Sequence, residues 1–163
     1  MNARPLVARF LIYGGLLGLM SAASAQQAPP QSEQAKQTVA LVEKAAALLD
    51  AKGKAAFAEL PKPNSEWRHG DTYLFVNDTK GTNLFNGGFP MFEGTNNRDL
   101  KDSNGKLIVV EQLKVVQSPA GAGWVDYMWP KPGQTKPSHK WSYVKAVKVD
   151  GAPGYVGAGF YSD

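Results

Sequence analysis

Three strand-like runs near the C-terminus decide the fold of this chain: Gly-Trp-Val-Asp-Tyr-Met-Trp-Pro-Lys-Pro-Gly (123–133), Lys-Trp-Ser-Tyr-Val-Lys (140–145) and Tyr-Val-Gly-Ala-Gly-Phe-Tyr (155–161). A Pro/Gly-rich loop and a tight turn separate them, which predicts a three-stranded antiparallel meander. The runs contain three of the four Trp residues and four of the six Tyr residues, with Lys140 among them. This concentration indicates either a heavily aromatic core or a pocket for a small anionic ligand.

The N-terminus has the pattern of a secretory signal peptide. Arg4 and Arg9 precede an apolar run of 11 residues, 10–20, and a small-residue cleavage site follows at 23–25. The apolar run is shorter than the roughly 20 residues that a membrane-spanning helix needs. We therefore expect a signal peptide over 1–25 and no stable membrane insertion after its cleavage.

The remaining 138 residues suit one domain. We expect a flexible spacer over 26–31 and a single domain over 32–163, exported to the periplasm. Cleavage removes two arginines and lowers the formal net charge from +4 to +2. The lysines are scattered instead of clustered on a basic face, so we expect no nucleic-acid partner. The absence of cysteine excludes disulfides, thiolate metal sites and cysteine nucleophiles.

Helical signals occupy the first part of the domain. Ser32 can cap a helix whose apolar residues repeat at helical spacing, and Gly53 is a typical stop. A short second helix is predicted over 54–60. A β-hairpin then follows over 72–85, a long irregular segment over 86–105 and a second main helix over 106–117.

The predicted fold is therefore α+β. A five-stranded antiparallel sheet is covered by a long N-terminal helix, and by a second helix that precedes the last three strands. In this order the chain resembles a single Cache domain, the PAS-like extracytoplasmic sensor module of bacteria. The resemblance covers essentially the whole predicted domain, and these segments carry it: 48–57, 72–78, 94–96, 99–106, 123–133, 140–145 and 157–161.

The resemblance implies an extracytoplasmic domain that binds a small ligand, often a short carboxylic acid, between the sheet and the long loop. Cache domains usually lie in membrane receptors, whereas no second segment of spanning length follows the signal here. We therefore expect a stand-alone soluble periplasmic protein that binds or senses a small organic anion. The alternative is an accessory protein that binds a membrane sensor or transporter and has no ligand of its own.

Strand alternation selects the first candidate ligand-binding residues. In the run 123–129, Val125, Tyr127 and Trp129 share one face. Core packing and a pocket wall both fit this face, and the resemblance favours Tyr127 and Trp129 as pocket residues.

Three further residues are candidates for binding the anion. Lys140 can pair with a carboxylate while its stem packs on aromatic rings. Tyr143 is a hydroxyl donor, but it can share a face with Lys140 only if a bulge or a strand-end twist intervenes. Arg98 in the long loop is a second candidate, and an ion pair with Asp99 or Asp102 is its alternative.

The sequence predicts no enzyme, metal site or cofactor. The two histidines, His69 and His139, form no recognisable catalytic pattern in the sequence. A calcium-loop pattern around Asp102 fails at its first position, where Leu100 has no side-chain ligand.

Overall fold

The computed structural model describes residue 29, residues 31–60 and residues 67–162. The expected signal peptide, 1–25, lies outside these residues. Within them, five antiparallel strands form one sheet in the order β2-β1-β5-β4-β3. A long helix packs on one face of this sheet and a shorter helix on the other. The predicted α+β fold is confirmed.

The first helix, α1, spans Glu33–Lys52 and begins and ends at the predicted signals. The Ser32 hydroxyl oxygen accepts a hydrogen bond from the Ala35 amide at 3.1 Å, which satisfies one of the free donors of the first turn. Gly53 ends the helix with φ +56°, a conformation that favours glycine. No helix of the described ranges has the length and apolarity that crossing a membrane requires.

Next comes a 3-10 helix over Gly53–Ala58, where the sequence predicted a short α-helix. Six residues are too few for several i→i+4 hydrogen bonds, and 3-10 turns are common at helix ends. The hairpin consists of β1, Leu74–Asp78, and β2, Asn83–Asn86. The loop behind β2 contains a second 3-10 helix, Pro90–Phe92, and leads to α2, Ile108–Val116.

The last three strands form the predicted meander and are long. They are β3, Ala122–Pro130, β4, Pro137–Val149, and β5, Ala152–Tyr161. β5 also pairs with β1, so the hairpin is attached to the meander along one continuous sheet. The register between β3 and β4 and between β4 and β5 runs without a shift, so alternate residues keep to opposite faces along each strand.

The sheet separates two hydrophobic clusters. The α1 face contains Val42 and Leu49 from the helix with Val76 and Val156 from the sheet. The other face, which we call the loop face, packs α2 on the sheet and includes the following buried aromatic residues: Tyr73, Phe75, Tyr127 and Tyr155. Because the buried tyrosines of the described residues all lie on the loop face, the candidate site is to be sought there.

Candidate functional site

The loop face buries a lysine side chain completely. Lys140 in β4 is 0% exposed, and four aromatic rings surround its Nζ. The distance from Nζ to the ring centroid is 3.9 Å for Tyr73, 5.4 Å for Tyr161, 5.8 Å for Phe75 and 5.9 Å for Tyr127. We call these four rings the aromatic cage. Ring faces attract a cation, so the cage stabilises the ammonium group in part.

Strand register brings this cage together. Lys140 lies directly opposite Tyr127 of β3 and Tyr161 of β5, so all three side chains share the loop face. β5 also carries two glycines on this face. A Cβ on Gly157 would lie 2.4 Å from the Phe75 ring, and one on Gly159 would lie 2.7 Å from Lys140 Cε. The glycines therefore provide the space for the ring and for the lysine stem.

The ammonium group of Lys140 is not paired. Its Nζ is buried and has no hydrogen-bond partner among the described residues. Burial lowers the pKa of Lys140 to about 7, because the charged form loses its hydration without gaining an ionic partner. Burial also raises the pKa of Tyr127 to about 12 and that of Tyr73 well above its ordinary value. These tyrosines therefore stay neutral in the pH range around 7, in which Lys140 titrates.

A cavity lies beside the cage, and we call it the central cavity. Three cage residues line it, namely Tyr73, Phe75 and Tyr127, together with Trp129. Its free volume is about 50 Å³, which is space for only a few water-sized groups. Lys140 lies behind the cage rings. A ligand that reaches its Nζ must therefore displace a ring, and Tyr73 is the closest one.

Amide side chains form the opposite wall of the central cavity: Asn77, Asn83, Asn86, Asn97 and Gln112. Several of them form a hydrogen-bonded chain. Asn83 Nδ2 donates to Asn77 Oδ1 at 2.7 Å, and Asn77 Nδ2 donates to the Tyr155 hydroxyl at 2.9 Å. That hydroxyl donates to Gln112 Oε1 at 2.9 Å. The cavity thus has one aromatic wall and one neutral, polar wall.

The long loop covers the cavity with aromatic rings. Phe89 packs edge-on against Tyr73 and against Trp129, with ring centroids 5.6 Å apart in each pair. Asn86 Oδ1 accepts hydrogen bonds from the amides of Gly88 and Phe89 at 3.2 and 2.9 Å and so holds the start of the loop. The loop is therefore an ordered cover over the cage.

Three of the five candidate residues from the sequence meet at this site. Lys140 is the caged cation, and Tyr127 and Trp129 line the central cavity. The Tyr127 hydroxyl lies 2.9 Å from Ser142 Oγ, a hydrogen bond that either atom can donate. Trp129 is half-buried and packs against Phe89 and Phe92 of the loop.

Tyr143 lies on the other face of the sheet. β4 has no bulge between Lys140 and Tyr143, so the odd spacing directs the two side chains to opposite faces. Tyr143 packs against the α1 cluster, and its ring centroid is 5.2 Å from that of Trp124.

Arg98 is exposed and does not line the central cavity. Its backbone packs against Gly81, since a Cβ added to Gly81 would lie 3.2 Å from Arg98 Cα.

The Asp102 carboxylate accepts hydrogen bonds from the backbone amides of Asn104, Lys106 and Met128. It therefore fastens the loop to β3. Within the described ranges, no cluster of three or more acidic, histidine or cysteine side chains could hold a metal ion.

His139 makes contacts that the sequence spacing does not reveal. Its Nδ1 is 2.7 Å from Ser162 Oγ and its Nε2 is 3.1 Å from Asp126 Oδ2. Burial would raise the pKa of Asp126, but hydrogen bonds from Lys106 and His139 lower it overall. The group lies outside the central cavity and ties the ends of β3, β4 and β5 together, so we assign it a structural role.

Several site residues were missed in the sequence: Tyr73, Phe75, Tyr161, Asn77, Asn83 and Gln112. The alternation in Thr-Tyr-Leu-Phe-Val-Asn (72–77) is a usable signal, because it places Tyr73, Phe75 and Asn77 on one face. The glycines at 157 and 159 are another, since glycine inside a strand indicates a close approach by a neighbour.

Comparison with known proteins gives a consistent result. The sequence model of the Cache domain family matches residues 32–163. The methyl-accepting chemotaxis protein McpP of Pseudomonas putida is 29% identical over 93 residues, which are 57% of this chain and 16% of that protein. The matched segment is thus a small part of a much longer relative.

Two solved structures share the fold. A periplasmic sensor domain of a chemotaxis protein has a TM-score of 0.64 and 34% identity, over 80% of this chain and 95% of that one. A Cache chemosensory domain, described as showing the structural basis for carboxylic acid recognition, has a TM-score of 0.67 and 28% identity. That match covers 79% of this chain and 93% of the other.

Proposed function

The chain belongs to the Cache domain family, and we propose that it binds a small carboxylate in the periplasm, with Lys140 as the anion-binding group. Cache domains are sensory, and similar proteins include the periplasmic part of a chemotaxis receptor. The observation that carries the proposal is the unpaired, fully buried Lys140 Nζ. A carboxylate oxygen would supply both the missing hydrogen-bond acceptor and the missing opposite charge.

The size and charge of the site favour a small monoanion. The central cavity has about 50 Å³ of free space, which fits only a few non-hydrogen atoms. A second lysine near the cage, Lys131, has its Nζ 5.6 Å from the Tyr161 ring centroid and 4.0 Å from Asp71 Oδ2. Lys140 Nζ has no such acidic partner among the described residues. The solved carboxylate-recognising relative supports the same ligand class.

The proposal places the remaining candidates around the ligand. Tyr127 and Trp129 form its aromatic wall, and Tyr73 must swing aside to admit the carboxylate to Nζ. Tyr143 and Arg98 have no part in this site. Export with removal of residues 1–25 would deliver the domain to the periplasm.

Thermal melting with a ligand panel tests the proposal. Acetate, propanoate, butanoate and succinate are compared with acetamide and propanamide, which have similar shapes without the charge. We expect the monocarboxylates to raise Tm by several degrees, because a ligand that binds only the folded state stabilises it. The amides should leave Tm unchanged. Lys140→Met should abolish the response while it raises the Tm of the ligand-free protein, since it removes a buried, unpaired amine.

Lys145→Met is the matched control. Lys145 is on the same strand but on the α1 face, where it pairs with Glu43. This variant should respond to carboxylates like the wild type. An equal response in Lys140→Met would assign the anion to another group and refute the proposal.

A second function is a partner-binding domain without its own ligand. One observation favours it: Lys140 Nζ has no solvent contact in this closed arrangement, so the site is not open to ligands as it stands. This function predicts that no acid of the panel changes Tm. It also predicts that the protein co-purifies with a membrane sensor or transporter.

A further inference from the structure

Asn83 carries a second buried polar atom that is not satisfied. The residue is 3% exposed and lines the central cavity, and its Oδ1 has no hydrogen-bond partner among the described residues. Among the described residues, the one other buried side-chain atom without a hydrogen-bond partner is Lys140 Nζ. Most buried polar atoms are paired because desolvation without a partner is unfavourable. Asn83 lines the central cavity, and Lys140 Nζ lies behind the cage rings that line it, which points to one ligand that satisfies both atoms once a ring moves aside.

The orientation of the Asn83 amide is determined by its neighbours. Nδ2 donates to Asn77 Oδ1 at 2.7 Å and to the Val76 carbonyl at 3.4 Å. A flipped amide would direct Oδ1 toward these two acceptors, which is repulsive. Oδ1 therefore remains the free atom of the amide, and it can only accept a hydrogen bond.

The chain of amides behind Asn83 keeps this acceptor in place. Asn77 Nδ2 donates to the Tyr155 hydroxyl, which donates in turn to Gln112 Oε1. None of the residues that line the central cavity in the described structure is charged. An ammonium group at Asn83 would therefore be buried without a counter-charge, whereas a hydroxyl group carries no such penalty.

We propose that the central cavity selects carboxylates that carry a neutral hydrogen-bond donor, such as a hydroxyl group, away from the carboxylate. The carboxylate pairs with Lys140 and the hydroxyl donates to Asn83 Oδ1. The inference rests on the proposed function and adds the chemistry of the second ligand group.

Calorimetric titration of matched acids tests this selectivity. Each hydroxy acid is compared with the acid in which a methyl group replaces the hydroxyl: glycolate with propanoate, 3-hydroxypropanoate with butanoate, and 4-hydroxybutanoate with pentanoate. We expect the hydroxy acid to bind about tenfold more tightly in at least one pair, which is the net effect of one buried hydrogen bond. The pair with the largest ratio gives the spacing between the two groups.

Asn83→Leu should reduce this ratio to about one and leave the affinity for the methyl-terminated acids nearly unchanged. Asn83→Ala, which also lacks a side-chain acceptor, replaces it if the leucine variant does not fold. Asn96→Ala is the control, because Asn96 is exposed, lies outside the cavity lining, and its Oδ1 already accepts a hydrogen bond from the Arg98 amide. It should keep the wild-type ratio.

The outcomes separate this inference from the proposed function. If methyl-terminated acids bind as tightly as their hydroxy partners in every pair, or if the Asn83 variants keep the preference, the role of Asn83 is refuted while carboxylate binding stands. If no acid binds, the proposed function fails and this inference fails with it.

Discussion

Lys140 combines two properties that oppose each other in a ligand-free protein. Its side chain is completely buried, and its Nζ has four rings around it but no acceptor. In that state the neutral amine is favoured, which is why its pKa falls to about 7 from an ordinary value near 10.5. Unfolding between these two pH values takes up a proton, so the stability of the ligand-free protein should rise with pH across this interval.

Carboxylate binding should depend on pH in the opposite direction. The ligand pairs with the ammonium form, so binding above pH 7 requires the uptake of a proton. We expect the Kd to be nearly constant between pH 5.5 and 6.5 and to increase by up to about tenfold per unit above pH 7. Titration calorimetry at pH 8, in buffers of different ionisation enthalpy, should show an uptake of nearly one proton per ligand.

The neighbouring tyrosines do not contribute to this pH dependence of the Kd. The rings of Tyr73, Tyr127 and Tyr161 surround the lysine. Burial raises the pKa of each of these tyrosines, so they remain neutral to beyond pH 9. Lys145→Met should retain the pH dependence. A Kd that stays flat from pH 6 to 9 would show that Lys140 is not the titrating anchor.

At the scale of the element, β5 supports the site because two of its residues on the loop face, Gly157 and Gly159, have no side chain. Gly157 and Gly159 leave space on the loop face, and Ala158 between them packs into the α1 cluster. Between Tyr155 and Tyr161, the strand therefore has no side chain on the loop face. The lysine stem and the Phe75 ring occupy this space, so the two glycines are a condition for the cage.

Gly159→Ala should disturb both stability and binding. The added Cβ would lie 2.4 Å from Ser142 Oγ, 2.4 Å from the Trp141 carbonyl and 2.7 Å from Lys140 Cε. We expect a loss of about 1–3 kcal/mol in the free energy of unfolding, as for other overpacked positions. Carboxylate affinity should fall as well. Urea denaturation and titration calorimetry measure the two effects.

Ala158→Gly is the control on the same strand. It removes a methyl group on the α1 face and adds backbone freedom, so it should lower stability by about 1 kcal/mol. Its carboxylate affinity should match that of the wild type. Unchanged affinity in Gly159→Ala would contradict the tight packing of the lysine stem on β5.

At the scale of the whole molecule, the proposed function assigns a structural role to one face of the sheet and ligand binding to the other. α1 covers one face with aliphatic residues, while α2 and the loop cover the other face, which holds the cage and the central cavity. Substitutions on opposite faces of a sheet share few contacts, so their effects should be nearly independent. A pair of variants, one on each face, can therefore test whether stability and ligand affinity respond separately.

Leu49→Ala and Phe75→Leu form that pair. Leu49 is 0% exposed on the α1 face, and its truncation should cost about 2–5 kcal/mol of stability. At a temperature where the variant is folded, its Kd for a carboxylate should stay within about twofold of the wild type, since no site contact changes. Phe75→Leu removes a cage ring and should weaken binding. Equal losses of affinity in both variants would contradict the division.

The sequence by itself determined the elements and their order. Capping at Ser32, the stop at Gly53 and the period-two pattern of the last three strands are local signals, because neighbouring residues alone satisfy them. The same alternation placed Tyr127 and Trp129 on one face and predicted the fold. It also made the pairing of Lys140 with Tyr143 depend on a bulge, and β4 has none.

Only the tertiary structure decided which of these side chains form a site. Tyr73 reaches Lys140 because β5 inserts between β1 and β4, and the pairing of β1 with β5 spans about 80 residues of chain, which no local pattern encodes. The same long-range pairing sets Asn77 beside Tyr155 and creates the polar wall with Asn83. Burial, and with it the lowered pKa of Lys140, is likewise a property of packing, because it depends on rings contributed by three other strands or strand ends.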